Sequence, residues 1–309
     1  MIDDVTLKWQ IDPPEQEWER TREPFYYLGF LFDPSYRDGF IIKYVSKFRN
    51  LRLVIKDDIF LISGSWHKFH HRGNYGDYTL KEIIETIEEL KERFGEKFLN
   101  AEITKLTIGC NVSLEANKIL PKIIGINGKK PSDMLGGTNH QPYGKYFKMT
   151  FYRFKVYDKQ FEVKNHDGIK IPHVLRLEKE IKMKGARKRA NNPITIISAL
   201  DLLKPEFSFF CQTEMKEFTQ KLEFSKVLIV SDLDKAADIE IYKLMGDMDS
   251  RLAYKKLANP KTYRSKLKRF QELKQNFSHS DPDLSDLVSK KVEEKISELV
   301  ARSPLLKTG

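Results

Sequence analysis

Cysteine is nearly missing from this chain: Cys110 and Cys211 are its only two among 309 residues. They lie far apart and form no Cys-x-x-Cys pair, which excludes a zinc ribbon and a disulfide framework. Unpaired thiols fit a reducing compartment, so a cytoplasmic location is expected. Long hydrophobic runs are absent too, and no segment reads as a membrane span. The start, Met1-Ile2-Asp3-Asp4, has neither the basic nor the apolar region of a secretion signal. No internal repeat or low-complexity tract occurs.

Acidic residues are scarce in two stretches. Residues 101–190 hold 19 Lys and Arg against 8 Asp and Glu, a net +11. Residues 251–274 hold 9 against 1, a net +8, within a whole-chain charge of +10. The remainder is therefore mildly acidic. Two separate basic segments point to a directed polyanion surface, and nucleic acid is the expected partner.

The periodicity divides the chain. Residues 1–24 are polar, carry Pro13, Pro14 and Pro24, and read as an extended arm. Residues 25–205 read as a catalytic domain. Alternation marks strands over 25–64, 103–112, 146–159 and 172–183. Thr79 and Glu82 form a capping box at the head of a helix closed by Gly95. Residues 65–77 and 129–143 read as loops, 165–168 as a turn, and 114–120 as a short helix or strand. A helix is expected over 194–203. Residues 206–309 read as a helical accessory region that binds DNA, with helices near 236–246, 262–276 and 283–302, and breaks at Asn259-Pro260 and 278–282. The fold class is α+β: curved antiparallel sheet with helices on one side, plus a helical C-terminal region.

The segment from Tyr152 to Lys159 alternates, with Phe154 and Val156 on one face and Arg153, Lys155 and Tyr157 on the other. Tyr157 among cations is a candidate nucleophile, because Lys155, Lys159 and Arg176 favour a phenolate. A tyrosine-linked phosphodiester keeps the energy of the broken bond, so the strand can be rejoined. Glu178 is a candidate ligand for Mg²⁺ or Mn²⁺, with Glu180 two residues on. His67, His70 and His71 cluster beside Trp66, and His67 is a candidate metal ligand. No Cys or further His stands near enough in sequence to make a zinc set. Tyr143, Tyr146 and Tyr152 are candidate stacking platforms for unpaired bases. Lys266, Lys268 and Arg269, in the second basic run, offer a helical face to duplex phosphates.

Four pieces in order resemble the rolling-circle replication initiators of filamentous phages, the gene-two endonuclease, and related phage and plasmid initiation factors. They are Leu61 to Phe69, which carries Gly64-x-x-His67; Ile103 to Gly109; Phe154 to Lys159, which carries Tyr157-x-Lys159; and Leu175 to Glu178, which carries Arg176-x-Glu178. A looser likeness covers Asn259 to Tyr263. The resemblance implies metal-dependent, site-specific DNA nicking and strand joining at a double-strand origin. Tyr157 would attack the phosphate, with Lys159 and Arg176 stabilising charge and Glu178 and His67 holding the metal. Arg153, Lys155 and Tyr143 would meet DNA. A single-stranded product, a host helicase and a second copy of the chain are the further expected partners. The chain departs from the pattern at Thr107, where the family strand carries an acid; Glu102, Glu115 or Glu180 would have to replace it. The competing expectation is a DNA-binding replication regulator that does not cut.

Overall fold

The computed structural model describes residues 1–11, 22–187, 195–225, 235–276 and 284–301. The first strand, β1 (Ile2–Gln10), lies inside the segment expected to be an arm. Ile2, Val5 and Leu7 are buried in the core, and that apolar pattern is what draws it in. A meander follows: β2 (Phe25–Tyr27), β3 (Phe30–Arg37), β4 (Phe40–Phe48), β5 (Leu51–Lys56) and β6 (Ile59–Ser65). Helix α1 (Trp66–His71) occupies part of the expected loop, capped by Ser65. Helix α2 (Leu80–Phe94) begins at the expected capping box: Glu82 N donates to Thr79 Oγ1, and Thr79 N donates to Glu82 Oε2. Gly95 closes it with φ +78°, a conformation that costs glycine little. A short α3 (Glu96–Leu99) leads into β7 (Glu102–Val112), and α4 (Ala116–Ile119) into β8 (Ile123–Ile126).

The Gly- and Asn-rich stretch expected as a loop instead holds β9 (Ser132–Gly136) and the start of β10 (Gln141–Lys148). Turn-forming residues there mark the ends of paired strands rather than an open loop. The tyrosine strand is correspondingly two strands, β10 and β11 (Tyr152–Asp158), joined by a tight turn. Asp158 then caps α5 (Lys159–Asp167) by accepting from Phe161 N at 3.0 Å, so Lys159 stands on a helix. The expected turn at 165–168 is the end of α5, closed by Gly168. Then come β12 (Leu175–Lys182), α6 (Met183–Ala186), a 3₁₀ turn over Ala199–Leu203 in place of the expected helix, α7 (Pro205–Lys221) and β13 (Leu222–Phe224). Four helices finish the chain: α8 (Ala236–Gly246), α9 (Met248–Leu257), α10 (Pro260–Asn276) and α11 (Leu284–Ala301). Pro260 opens α10, as proline at a first helical position does; α9 was not expected, and the 278–282 break lies outside the described residues.

The fold is α+β. Eleven strands form one antiparallel sheet in the order β2-β3-β4-β5-β6-β1-β7-β12-β11-β10-β9, which places β1 between β6 and β7. One face carries the core. Phe94 of α2 packs on Trp9 and Phe60, and Phe218 of α7 packs on Phe154 at 4.7 Å. Val292, Ile296 and Leu299 of α11 join the same cluster as Ile108 and Leu177, so the core crosses the division expected at 205. No helix among the described residues is long and apolar enough to cross a membrane.

Candidate functional site

The opposite face of β1, β7, β11 and β12 carries the candidate site. On β12, Arg176, Glu178 and Glu180 alternate with the core-facing Leu177 and Lys179. Register brings Tyr157 opposite Arg176 and Lys155 opposite Glu178 on one side, with Asn111 and Gly109 opposite the same pair on the other. Gly109 leaves room for that crowding: a Cβ there would lie 3.1 Å from Leu177 O and 3.2 Å from Glu178 Cγ.

Tyr157, Arg176 and Glu178 do converge. Glu178 Oε1 accepts from Tyr157 Oη at 2.7 Å and from Arg176 Nε at 2.7 Å. Its Oε2 accepts from Lys155 Nζ at 3.0 Å. Arg176 is the hub: Nη1 donates to Asn111 Oδ1 at 2.9 Å and Nη2 to Asp3 Oδ2 at 2.8 Å. Lys159 Nζ donates to Asn74 Oδ1 at 2.9 Å, pairs with Glu162, and lies 5.8 Å from the centre of the Tyr157 ring.

Asp3 was missed by sequence reasoning, which placed it in an arm. Ile2 and Val5 both face the core although they are three residues apart. The irregular register between them takes up the extra residue and turns Asp3 toward Arg176, as a bulge does. Nothing in a single sequence marks such a slip. An acid therefore does enter the cluster, from β1 and not from β7. Thr107 lies opposite Glu180, away from Glu178.

The tyrosine is not on an open face, contrary to the alternation reading. Tyr157 is 2% exposed, because Tyr143 and α5 cover it. Tyr143 stacks on Phe161 of α5 and sets its ring edge-on to Tyr157 at 6.1 Å. Burial, and then the Glu178 carboxylate, push the Tyr157 phenol well above its ordinary value. Burial lowers the Lys159 ammonium, and Arg176 adds to that. For Lys155, burial opposes the charge, but Glu178 outweighs it and the pKa rises. For Asp3, burial also opposes the charge, but Arg176 and the Ser65 hydroxyl hold the carboxyl below its ordinary range. The cluster is thus a phenol hydrogen-bonded to a carboxylate, with guanidinium and ammonium groups balancing the charge.

The residues expected to hold a metal do not form a ligand set. His67 is buried, with its ring stacked on Tyr78 at 5.1 Å, and its Nε2 has no partner. Burial, then the nearby Arg176 charge, lowers it to about 2, so the ring is neutral. The guanidinium of Arg176 already pairs with both Asp3 and Glu178, and Lys155 pairs with Glu178 as well, in the place where a divalent cation would serve. Mg²⁺ or Mn²⁺ does not fit there without displacing it. Among the described residues, one group of His and acidic side chains does converge, His70, His71 and Glu82.

The expected DNA contacts are dispersed. Arg153 pairs with Glu180 at 3.3 Å. On α10, Lys266 lies 4.8 Å from the Tyr254 ring centre, Arg269 pairs with Asp238 of α8 at 2.7 Å, and Lys268 is exposed. The exposed basic face of α10 is Lys261, Arg264 and Lys268, a three-and-four spacing the sequence could have shown.

No family model matches the chain, and no curated protein matches it in sequence. Among solved structures, the rolling circle replication initiator protein from Geobacillus stearothermophilus is a distant neighbour. It has a TM-score of 0.36 and 12% identity, over 59% of this chain and 73% of that one. Likeness at that level transfers no chemistry from one chain to the other.

Proposed function

We propose that the chain starts rolling-circle replication by nicking a DNA origin and rejoining the strand through a covalent tyrosyl-DNA bond. The hydrogen bond from Tyr157 Oη to Glu178 Oε1 at 2.7 Å carries this reading. A phenol with a carboxylate on its proton is a nucleophile with its base in place. Attack on a backbone phosphorus joins Tyr157 Oη to the phosphate and releases the 3′ oxygen of the neighbouring nucleotide. The phenol proton passes to Glu178, and Arg176 and Lys159 stabilise the charge on the phosphate oxygens. Access requires Tyr143 or α5 to move, since both cover the tyrosine. The dependence on Mg²⁺ or Mn²⁺ expected of this class belongs to the proposal without a ligand set at Glu178. Duplex origin and single-stranded product are the proposed DNA partners, with a host helicase and a second copy of the chain beside them, in the cytoplasm.

The burial and complete pairing of Tyr157 favour a second reading, a DNA-binding regulator that does not cut. One experiment separates the two. Supercoiled DNA carrying the candidate origin is incubated with the protein and Mg²⁺ or Mn²⁺. The first reading expects nicked circles and a protein-DNA adduct that maps to Tyr157. Binding without a nick supports the regulator, and an adduct on Tyr143 or Tyr152 overturns the assignment of Tyr157.

A further inference from the structure

We propose that His70, His71 and Glu82 bind a transition-metal ion of the zinc type, which clips the loop over the candidate site at its base. One ligand atom from each residue lies within 4.8 Å of the others. His71 Nε2 stands 3.1 Å from Glu82 Oε1, and His70 Nε2 stands 3.7 Å from Glu85 Oε2. Ligands held tetrahedrally at about 2.0–2.1 Å from zinc stand roughly 3.4 Å apart, so the His71–Glu82 spacing suits two ligands of one ion, with His70 as the third.

The surrounding hydrogen bonds prepare the ligands. Thr86 Oγ1 donates its one proton to the Glu82 carbonyl at 2.8 Å and accepts from Tyr78 Oη at 2.7 Å. It can only accept from His70 Nδ1, 3.3 Å away. In the neutral ring the proton therefore sits on Nδ1 and the lone pair on Nε2, toward Glu85. This is how an acceptor partner fixes the tautomer of a metal-binding histidine. Glu82 is held in the same manner: Oε2 is committed to the capping box with Thr79, and Oε1 is turned to His71. His71 is exposed, so an ion can reach the group from solvent. Two imidazoles with a carboxylate suit zinc and its neighbours in the first transition row better than Mg²⁺.

The position gives the ion a role. His71 ends α1, and Glu82 lies in the first turn of α2. Between them runs the loop whose Asn74 accepts from Lys159 and from Arg176, and whose Tyr75 and Gly76 carbonyls accept from Asn111. An ion joining the two helices would hold both ends of this loop and steady its contacts with Lys159, Arg176 and Asn111. The metal site itself does not depend on the chain being a nickase.

Cobalt(II), whose visible spectrum reports low coordination, is titrated into the full chain after chelator treatment. The expected result is one equivalent bound, displaced by zinc, with slower backbone hydrogen exchange over residues 72–78 when zinc is present. His71→Ala and Glu82→Gln should each weaken binding at least tenfold. Gln keeps the capping box, and His71 fills no core space, so both variants should fold. Tyr157→Phe should bind like the parent. Absence of the cobalt band, or parent-like affinity in both variants, would show that the His–Glu contacts are ion pairs only and would overturn the proposal. Binding with unchanged exchange over 72–78 would overturn the clip.

Discussion

Tyr157 and Glu178 lie 21 residues apart in sequence and share a buried hydrogen bond of 2.7 Å between adjacent strands. That bond decides what substitutions at the two positions should do. Tyr157→Phe keeps the ring and should abolish nicking while DNA affinity stays within about twofold. Glu178→Gln keeps the shape and an acceptor oxygen but is a far weaker base, so nicking should fall by roughly 10²–10⁴. Glu178→Ala would confuse the test. It leaves Arg176 and Lys155 without their shared partner, at a cost on the order of 3–5 kcal/mol. Supercoil nicking measured beside denaturant unfolding separates the two effects. Parent-like nicking in Glu178→Gln would remove the carboxylate from the chemistry.

Much of the sheet was legible in the sequence because alternation reports strands wherever one face is apolar. The α2 capping box and the tyrosine and Arg-x-Glu strands were legible for the same reason: their signals are local. Three things were not. The slip between Ile2 and Val5 that aims Asp3 at Arg176 depends on neighbouring strands. The burial of Tyr157 depends on Tyr143 and α5, which arrive from elsewhere in the chain. Glu82, the third member of the His70 and His71 group, is brought back by the loop between α1 and α2.

The register of β7 on β12 bears on the Thr107 departure. Thr107 faces Glu180, and Gly109 faces Glu178. Thr107→Asp would thus place a second carboxylate beside Glu180 at a site only 5% exposed. We expect a stability loss of about 1–3 kcal/mol and no gain in metal-dependent cleavage. Urea unfolding and cleavage across a Mg²⁺ series check both. A gain in cleavage would mean that an acid at this position reaches the nucleophile.

His67 should make the fold sensitive to mild acid. Its ordinary value is 6.5 and its folded value is about 2. Below pH 6.5 the unfolded chain takes up a proton that the native ring does not, so this stability is complete above 6.5 and is lost as pH falls. The loss is at most about 1.4 kcal/mol per pH unit. Burial also lowers the Met1 ammonium to about 6, so between pH 6.5 and 5 comparison with a His67 variant, and not the decline alone, isolates the histidine. His67→Phe, which keeps the stack on Tyr78, should flatten the decline of the urea midpoint over that range. Parallel declines in the two proteins would rule the histidine out as its source.

On the core face, Lys179 Nζ lies 2.6 Å from Glu214 Oε2, and both side chains are almost fully buried. The pair ties β12 to α7. Glu214→Ala should cost about 3–5 kcal/mol, because it strands a buried ammonium. Replacing both residues with Met and Leu should recover most of that loss, since an apolar pair needs no desolvation. A double-mutant cycle by chemical denaturation measures the coupling. Additive losses would show that the two charges do not depend on each other.

Salt dependence tests which part of α10 meets DNA. Arg269 is held by Asp238 of α8 through two hydrogen bonds at 2.9 and 2.7 Å, so its guanidinium is committed within the protein. Neutralising Lys266, Lys268 and Arg269 together should therefore free fewer than three phosphates. Log K against log salt should flatten by about 0.9 for each phosphate that is no longer neutralised, or about 1.8 at most for this triple variant. Lys261, Arg264 and Lys268 are all exposed and share one helical face. Neutralising those three should flatten the slope by up to about 2.7 while leaving the α8–α10 pairing intact. Arg269→Gln alone should lower stability and leave the slope unchanged. If neither triple variant moves the slope, duplex binding lies in the basic sheet region before residue 205, and the face of α10 is only solvated.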